Sequence, residues 1–351
     1  MTSLPERAPA DPVVLLEGVD RSFGEHRALH DLTMRIDAGS ISVLLGPNGA
    51  GKTTAIRVIT GALGVDSGRV RVFGLDPDDP RQGEEVRRRC GVVSAKPALY
   101  DRLSGLDNLR YSAELHGMRW GAATRGRVVE AATRFGIHTS LDAQVGGYST
   151  GMKTRLALAR AVLHDPELLL FDEPTSGLDP ESSLAVLAMI REMAGDGTTV
   201  VMCTHLLLEA EGLAEQVIVM EAGAAIAAGR PAELIRGFWP DDAVRLAAED
   251  PAGLAAVADL PGVRGVRPAD DDPTAVDVDV DHLGRIPEIV LALTTRGVRL
   301  TRVTPREPSL EELYFAVRRP HLPGREAADD GGVRLAAPGA STRHEYQEVG
   351  A

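Results

Sequence analysis

The chain has 351 residues, of which 44% are apolar, and its formal net charge at pH 7 is −13. This length exceeds one average domain, so we expect two folded domains with sizeable cores. The acidic balance argues against a protein that wraps nucleic acid, which would need a basic face. Because the apolar runs are far shorter than the roughly 18 residues of a membrane span, we expect that the chain does not cross a membrane by itself.

The first half of the chain predicts strands followed by a helical insertion. Residues 1–12 are rich in proline and acidic residues and predict a flexible N-terminus. Residues 13–73 alternate short apolar strands with turn signals, and the apolar run Ile41–Leu45 predicts a buried strand. From about residue 83 to residue 164 the apolar positions are spaced as in helices, which predicts an inserted helical subdomain.

Two further apolar runs, Glu167–Phe171 and Thr198–Cys203, predict buried strands. Between them lies a stretch that Pro180 could open and Gly195 could close as a helix. A strand, a helix and a second strand in succession indicate a parallel sheet, so the fold class is α/β.

The sequence character changes after Pro231, where short β-branched runs alternate with helical stretches. The order βαββαβ predicts a small α+β accessory domain of the ferredoxin-like kind over residues 239–318. Its last helix, Leu310–Val317, opens with a capping box formed by Ser309 and Glu312. Residues 319–351 have little that could form a core and predict a disordered tail.

A phosphate-binding loop is the sharpest motif. The segment GPNGAGKTT matches G-x-x-x-x-G-K-[ST] directly after a strand and before a helical stretch, which is the context that this motif requires. Glycines let the loop turn its N–H groups toward phosphate oxygens, lysine neutralises the β- and γ-phosphates, and a threonine hydroxyl reaches Mg²⁺. The predicted nucleotide-binding residues are Gly46, Asn48, Gly49, Gly51, Lys52, Thr53 and Thr54.

An acidic pair ends the strand within LLLFDEPTSGLD. At the carboxyl edge of the sheet, Asp172 can hold a Mg²⁺ ion together with Thr53. Glu173 is placed to deprotonate a water that attacks the γ-phosphate, so we predict that it is the general base. The alternative is that these two acids only end a strand and start a turn.

A third segment, YSTGMKTRLALARA, precedes the acidic strand and begins a helix at Ser149. Together with the other two motifs and CTHLLLEAE, it resembles the ATPase subunit of ABC transporters. In that family the segment is usually written LSGGQ. Ser149 and Gly151 retain the positions that contact phosphate, whereas three neighbouring positions differ. A simple helix cap is the other interpretation.

The resemblance implies a P-loop ATPase domain over residues 13–238 that uses ATP and Mg²⁺. Two copies would meet head to tail, so that each ATP lies between the phosphate loop of one copy and the Ser149 helix of the other. The implied partners are this second copy and an integral-membrane permease, with no nucleic acid. The chain would be peripheral, at the cytoplasmic face of the membrane. The C-terminal part is similar to ATPases of the daunorubicin-resistance type, which export drugs.

Further residues take roles from the same resemblance. His205 resembles the switch histidine that contacts the γ-phosphate, and Asp179 resembles the loop that links the two sites. Phe23 matches the aromatic ring on which adenine stacks, although a core phenylalanine is the alternative. Lys52, Glu173 and His205 are therefore the predicted catalytic residues.

One departure from the family concerns Ala95, which stands where a glutamine usually reaches the metal and the water. Either a neighbour such as Ser94, Lys96 or a water replaces that glutamine, or the protein hydrolyses ATP slowly and serves mainly as a switch. Two alternatives to an exporter subunit thus stay open. One is a slow nucleotide-sensing subunit, and the other is a soluble ABC ATPase of translation or repair.

Overall fold

The computed structural model describes residues 12–269 and 272–319. These residues form two compact units, one up to Pro231 and one from Ala232 to Arg319. The predicted flexible N-terminus and the predicted tail lie outside the described residues, except for Pro12 and Arg319. No helix within the described ranges is long and apolar enough to span a membrane.

The first unit alternates strands and helices. Its strands are β1 (Val14–Phe23), β2 (His26–Ile36), β3 (Ile41–Leu45), β4 (Ser67–Val72), β5 (Cys90–Val93), β6 (Leu168–Asp172), β7 (Thr199–Thr204), β8 (Gln216–Glu221) and β9 (Ala224–Gly229). Its helices are α1 (Lys52–Ile59), α2 (Pro80–Arg88), α3 (Gly105–Leu115), α4 (Ala122–Arg134), α5 (Thr150–Val162), α6 (Pro180–Gly195) and α7 (Leu207–Glu211).

Two sheets build this unit. The larger has the strand order β5-β6-β7-β3-β8-β9 and is parallel except for β9, which runs antiparallel to β8. The smaller is antiparallel, with the order β2-β1-β4. Apolar residues of both sheets and of α1 share one buried core, to which Val14, Ile59 and Leu170 contribute fully buried side chains. The α/β fold class is confirmed.

The helical subdomain begins later than the sequence pattern suggests. Strand β5 lies inside the range 83–164 and pairs in parallel with β6, so this stretch belongs to the main sheet. Its run CGVV is too short to be told from a helical segment by periodicity alone. Helices α3, α4 and α5 pack against one another after β5.

The second unit has the predicted βαββαβ order. Its strands are β10 (Asp242–Ala248), β11 (Val263–Pro268), β12 (Ala275–Val280) and β13 (Leu300–Arg306), and its helices are α8 (from Pro231, the last residue of the first unit, to Phe238), the 3₁₀ helix Pro251–Val257, α9 (Ile286–Thr295) and α10 (Leu310–Arg318). The sheet order β11-β12-β10-β13 with antiparallel neighbours is the ferredoxin-like arrangement. Ser309 and Glu312 form the predicted capping box.

Candidate functional site

The three chemical motifs meet at one edge of the main sheet. Strands β6, β7 and β3 are neighbours, and their register pairs Asp172 with Cys203 and Leu45 with Thr204. The phosphate loop follows β3, the acidic pair stands at the end of β6, and His205 follows β7 directly. Since ligands of parallel sheets bind at the carboxyl ends of the strands, this edge is the candidate nucleotide site.

The glycines of the phosphate loop are required by close backbone contacts. A Cβ atom at Gly46 would lie 2.4 Å from the carbonyl oxygen of Met220. At Gly51, where φ is +100°, it would lie 2.6 Å from the carbonyl oxygen of Ala28. Gly51 is also the N-cap of α1 and provides no side-chain acceptor, so the first N–H groups of this helix are available to an anion.

Lys52 and the backbone of the phosphate loop line a small pocket of about 180 Å³. The side chain of Lys52 is 6% exposed, and its Nζ donates to the carbonyl oxygens of Gly46 at 2.7 Å and Pro47 at 3.1 Å. These bonds hold the positive charge inside the loop. The residues that line the pocket include Asn48, Gly49, Gly51, Lys52, Thr53, Thr54 and Glu173.

The carboxylate of Glu173 lies between two predicted catalytic groups. Its Oε1 is 3.8 Å from Lys52 Nζ and 3.0 Å from His205 Nδ1. Glu173 has a φ of +51°, in the left-handed region that costs a non-glycine residue about 1–2 kcal/mol. Backbone strain of this kind persists where the surroundings fix a functional geometry. The structure thus brings Lys52, Glu173 and His205 together.

Oxygen donors suited to magnesium lie beside this group. The Thr53 hydroxyl donates to the carboxylate of Asp172, 2.8 Å from Oδ2 and 3.1 Å from Oδ1. Hydroxyl and carboxylate oxygens are ligands that Mg²⁺ prefers, so this pair fits the ion. Asp172 is 8% exposed, and burial raises the pKa of its carboxyl above the usual range, although the Thr53 hydroxyl opposes the shift.

Residues of the predicted signature segment do not line this pocket. Ser149 is the N-cap of α5 as predicted, and its Oγ accepts a bond from the Met152 N–H at 3.3 Å. Gly151 lies in the first turn of α5, where an added Cβ would meet nothing closer than Ser182 Oγ at 3.8 Å. Contacts within the described chain therefore do not explain a glycine at this position.

Phe23 and Asp179 also lie outside the pocket. Phe23 ends β1 and is 45% exposed, which excludes the alternative of a core residue. The Arg21 guanidinium lies 5.3 Å from the centre of its ring. Asp179 caps α6, and hydrogen bonds from the Ser182 side chain and backbone hold its pKa below the usual range.

Ala95 is exposed in the bend after β5. Its neighbour Ser94 is half-buried and lines a groove that Thr53 and Asp172 also line. The Ser94 hydroxyl donates to the carbonyl oxygen of Lys96 at 3.0 Å. Of the two side chains considered as substitutes for the usual glutamine, Ser94 therefore lines the same groove as Thr53 and Asp172, the residues predicted to hold Mg²⁺.

Two buried polar residues near the site escaped the sequence analysis. Thr175 follows the acidic pair, and Glu209 lies on α7 after His205; their side chains are joined by a hydrogen bond of 2.6 Å. Thr175 ends the segment FDEPT and Glu209 ends the segment HLLLE. Nothing in the sequence pattern predicts that these two side chains are in contact.

Comparison with known proteins agrees with this geometry. Residues 29–176 match a family model described as ABC transporter. The "Daunorubicin resistance ATP-binding protein DrrA3" of Streptomyces coeruleorubidus is 35% identical over 93% of this chain and 100% of its own length. The "Daunorubicin/doxorubicin resistance ATP-binding protein DrrA" of Streptomyces peucetius is 33% identical over 90% of this chain and 94% of its own.

Solved structures show the same fold. A chain described as an ATP-binding subunit of an ABC transporter has 28% sequence identity and a TM-score of 0.59, covering 64% of this chain and 93% of that chain. The dimeric post-hydrolysis cassette MJ0796, bound to ADP and Pi, has 25% identity and a TM-score of 0.57, covering 62% and 98%. The fold and site thus define an ATPase of the cassette type. The chain belongs to the family of ABC transporter ATP-binding proteins.

The raised pKa of Asp172 leads to a prediction about stability. A buried acid whose pKa is raised on folding favours the neutral form, so its ionisation costs stability as pH rises through the folded-state pKa. In metal-free buffer at pH 7, Asp172→Asn should therefore raise the melting temperature by a few degrees. The same change should lower Mg²⁺-dependent ATP hydrolysis by about 100-fold or more, because a ligand oxygen with its charge is lost.

Thermal unfolding at several pH values and an ATPase assay check this outcome. The difference in melting temperature between Asp172→Asn and the wild type should decrease as pH falls, since the wild-type carboxylate then takes up its proton. A less stable variant that still hydrolyses ATP would contradict the account of Asp172.

Proposed function

We propose that this ATPase is the energy-supplying subunit of an exporter for drug-like or hydrophobic compounds. It dimerises on ATP and drives a separate permease from the cytoplasmic face of the membrane. The names of the two Streptomyces relatives support the substrate class, since they describe resistance to daunorubicin and doxorubicin. The transported compound is not expected to contact this subunit.

The observation that carries the proposal is the shared contact of Glu173 with Lys52 and His205. Lys52 would neutralise the β- and γ-phosphates, and Thr53 with Asp172 would hold the Mg²⁺ that these phosphates bring. Glu173 would accept the proton of the attacking water, while His205, 3.0 Å from it, would keep this water and the γ-phosphate in place. Lys52 and Asp172 are only 6% and 8% exposed, so solvent screens their charges weakly.

The second copy supplies the rest of the site. Ser149 is exposed at the N-terminus of α5, where free N–H groups and a positive helix end attract an anion. No neighbour within the described chain lies close enough to Gly151 to require a glycine there. Its lack of a side chain would instead let a phosphate group approach the helix end closely. A γ-phosphate would bridge this helix end and the partner's phosphate loop, so ATP would close the dimer and hydrolysis would release it.

Coupling to the permease runs through the groove that Ser94, Thr53 and Asp172 line. Exposed apolar residues form its outer rim, namely Val92 (37% exposed), Tyr100 (52%), Tyr111 (42%) and Leu115 (68%). The rings of Tyr100 and Tyr111 meet edge to face with centroids 5.2 Å apart. Thr53 and Asp172 line the same groove, so a permease segment seated on the rim would sense movements at the nucleotide.

Ala95 does not change this proposal. Ser94 provides a hydroxyl in the groove that Thr53 and Asp172 also line, so this polar group can replace the amide of the family's usual glutamine. We therefore favour an active ATPase over a slow nucleotide sensor. An ATPase assay with the permease in lipid separates the two, because a sensor would show no useful turnover.

Replacing the proposed base tests the chemistry. Glu173→Gln should lower the hydrolysis rate by about 100- to 10,000-fold, because an amide cannot accept the proton. ATP affinity should persist, and the ATP-bound dimer should accumulate in light-scattering measurements. Glu215→Gln, at an exposed position of the same unit, is the matched control. Wild-type turnover by Glu173→Gln would show that another group is the base.

The groove is tested by Leu115→Glu. A charge on this 68% exposed side chain should abolish copurification with the co-expressed permease and leave basal ATP hydrolysis within about twofold of wild type. Leu291→Glu is the control, since Leu291 has the same exposure in the second unit. If Leu115→Glu copurifies like the control, the permease docks elsewhere.

A further inference from the structure

A buried carboxylate behind the catalytic residues has no role in the steps described above. Glu209 lies on the short helix α7 and is 8% exposed. Its Oε1 accepts a hydrogen bond from the Thr175 hydroxyl at 2.6 Å, and its Oε2 accepts one from the Thr204 hydroxyl at 2.8 Å. Burying a carboxylate is costly unless its hydrogen bonds are satisfied, and here each oxygen has a donor.

The two threonines belong to different segments of the chain. Thr175 is 5% exposed and follows Glu173 by two positions, in the turn after β6. Thr204 is 2% exposed and directly precedes His205, at the end of β7. One carboxylate thus ties the loop of the proposed base to the loop of the proposed switch histidine.

The backbone around these residues explains why such a tie is needed. Glu173 holds a left-handed conformation, with φ of +51°, that its residue type disfavours. Its N–H donates to the carbonyl oxygen of Cys203 at 3.0 Å, and its carbonyl accepts from the Ser176 N–H at 3.1 Å. The Thr175–Glu209 bond anchors the other side of this turn, so the carboxylate of Glu173 stays directed at His205.

The second bond performs the same task for the histidine loop. The Thr204 hydroxyl donates to Glu209 and accepts from the Leu206 N–H at 3.0 Å. Thr204 and Leu206 flank His205, so these bonds fix the backbone on both sides of the histidine. His205 itself has a side chain that is 42% exposed. Little packing would hold its ring in place without this backbone anchor.

We infer that Glu209 is a positioning residue for ATP hydrolysis, which sets the spacing between Glu173 and His205. It contacts neither reacting group and acts through the two threonines. The inference rests on the proposed roles of Glu173 and His205. A purely structural role would lower the stability of the protein but would leave the turnover of the folded enzyme unchanged.

The test compares nearly isosteric variants in the full-length protein. Thr175→Val removes the hydroxyl but keeps the shape, and Thr175→Ser keeps the hydroxyl. Thr175→Val should lower kcat about tenfold or more, with KM for ATP within about twofold, because orientation and not nucleotide binding is lost. Thr175→Ser should recover most of the rate. Glu209→Ala should lower kcat at least as much as Thr175→Val.

A double variant separates this inference from the proposed function. Adding Glu209→Ala to Glu173→Gln should lower kcat by a smaller factor than Glu209→Ala does alone, since the base that Glu209 positions is already gone and only its effect on His205 is left. Glu211→Gln, an exposed change on the same helix, is the control for α7, and assays run well below the melting temperature of each variant.

If Thr175→Val and Glu209→Ala lower the melting temperature but keep the wild-type kcat, the inference is wrong and the role of Glu173 is unaffected. If Glu173→Gln itself hydrolyses ATP at the wild-type rate, the role of Glu173 and the inference fall together. A selective loss of kcat that Thr175→Ser restores supports the inference.

Discussion

The parallel pairing of β6, β7 and β3 is the constraint on which the site depends. All residues of these three strands are buried. Because side chains alternate between the two faces of a sheet, a shift of one position would move each of them to the opposite face. The register that results places Asp172 beside Cys203 and Leu45 beside Thr204. Three segments from distant parts of the sequence therefore begin at the same edge of the sheet, where Lys52, Glu173 and His205 lie close together.

Burial gives these polar residues their chemical strength. Lys52 and Asp172 are nearly inaccessible, so their charges are weakly screened and must be balanced by hydrogen bonds, by one another or by a bound ligand. Glu173 shares one oxygen between a lysine and a histidine, and its backbone N–H donates to the carbonyl oxygen of Cys203 in β7. Two residues later, the Thr175 hydroxyl donates to Glu209 of α7. In the proposed dimer, the exposed start of α5 on the second copy would add a further anion-binding surface to this site.

Much of this architecture could be predicted from the sequence. Pro180 and Gly195 are the first and last residues of α6, as the sequence predicts. Val276, Val278 and Val280 alternate along β12, a strand of the ferredoxin-like sheet. These features are local, because caps and periodicity act over a few residues.

The features that the sequence did not reveal depend on tertiary contacts. Strand β5 is too short for its period to be distinguished from a helix, and only its pairing with β6 defines it. Thr175 and Glu209 are 34 positions apart, and the bond between them exists because β6 and β7 lie side by side. The direction of Glu173 likewise follows from a backbone angle that residue type does not encode.

The central claim is that two copies share each ATP site, and mixing two inactive variants tests it most directly. Lys52→Ala spoils the phosphate loop, and Gly151→Glu places a negative charge where the γ-phosphate would meet α5. A mixed dimer would keep one intact site, made from the loop of one variant and the helix of the other. The account predicts that an equimolar mixture recovers up to about a quarter of wild-type ATP hydrolysis, since half of the dimers are mixed and each has one working site. A mixture as inactive as each variant alone, under conditions in which wild-type protein dimerises with ATP, would contradict it.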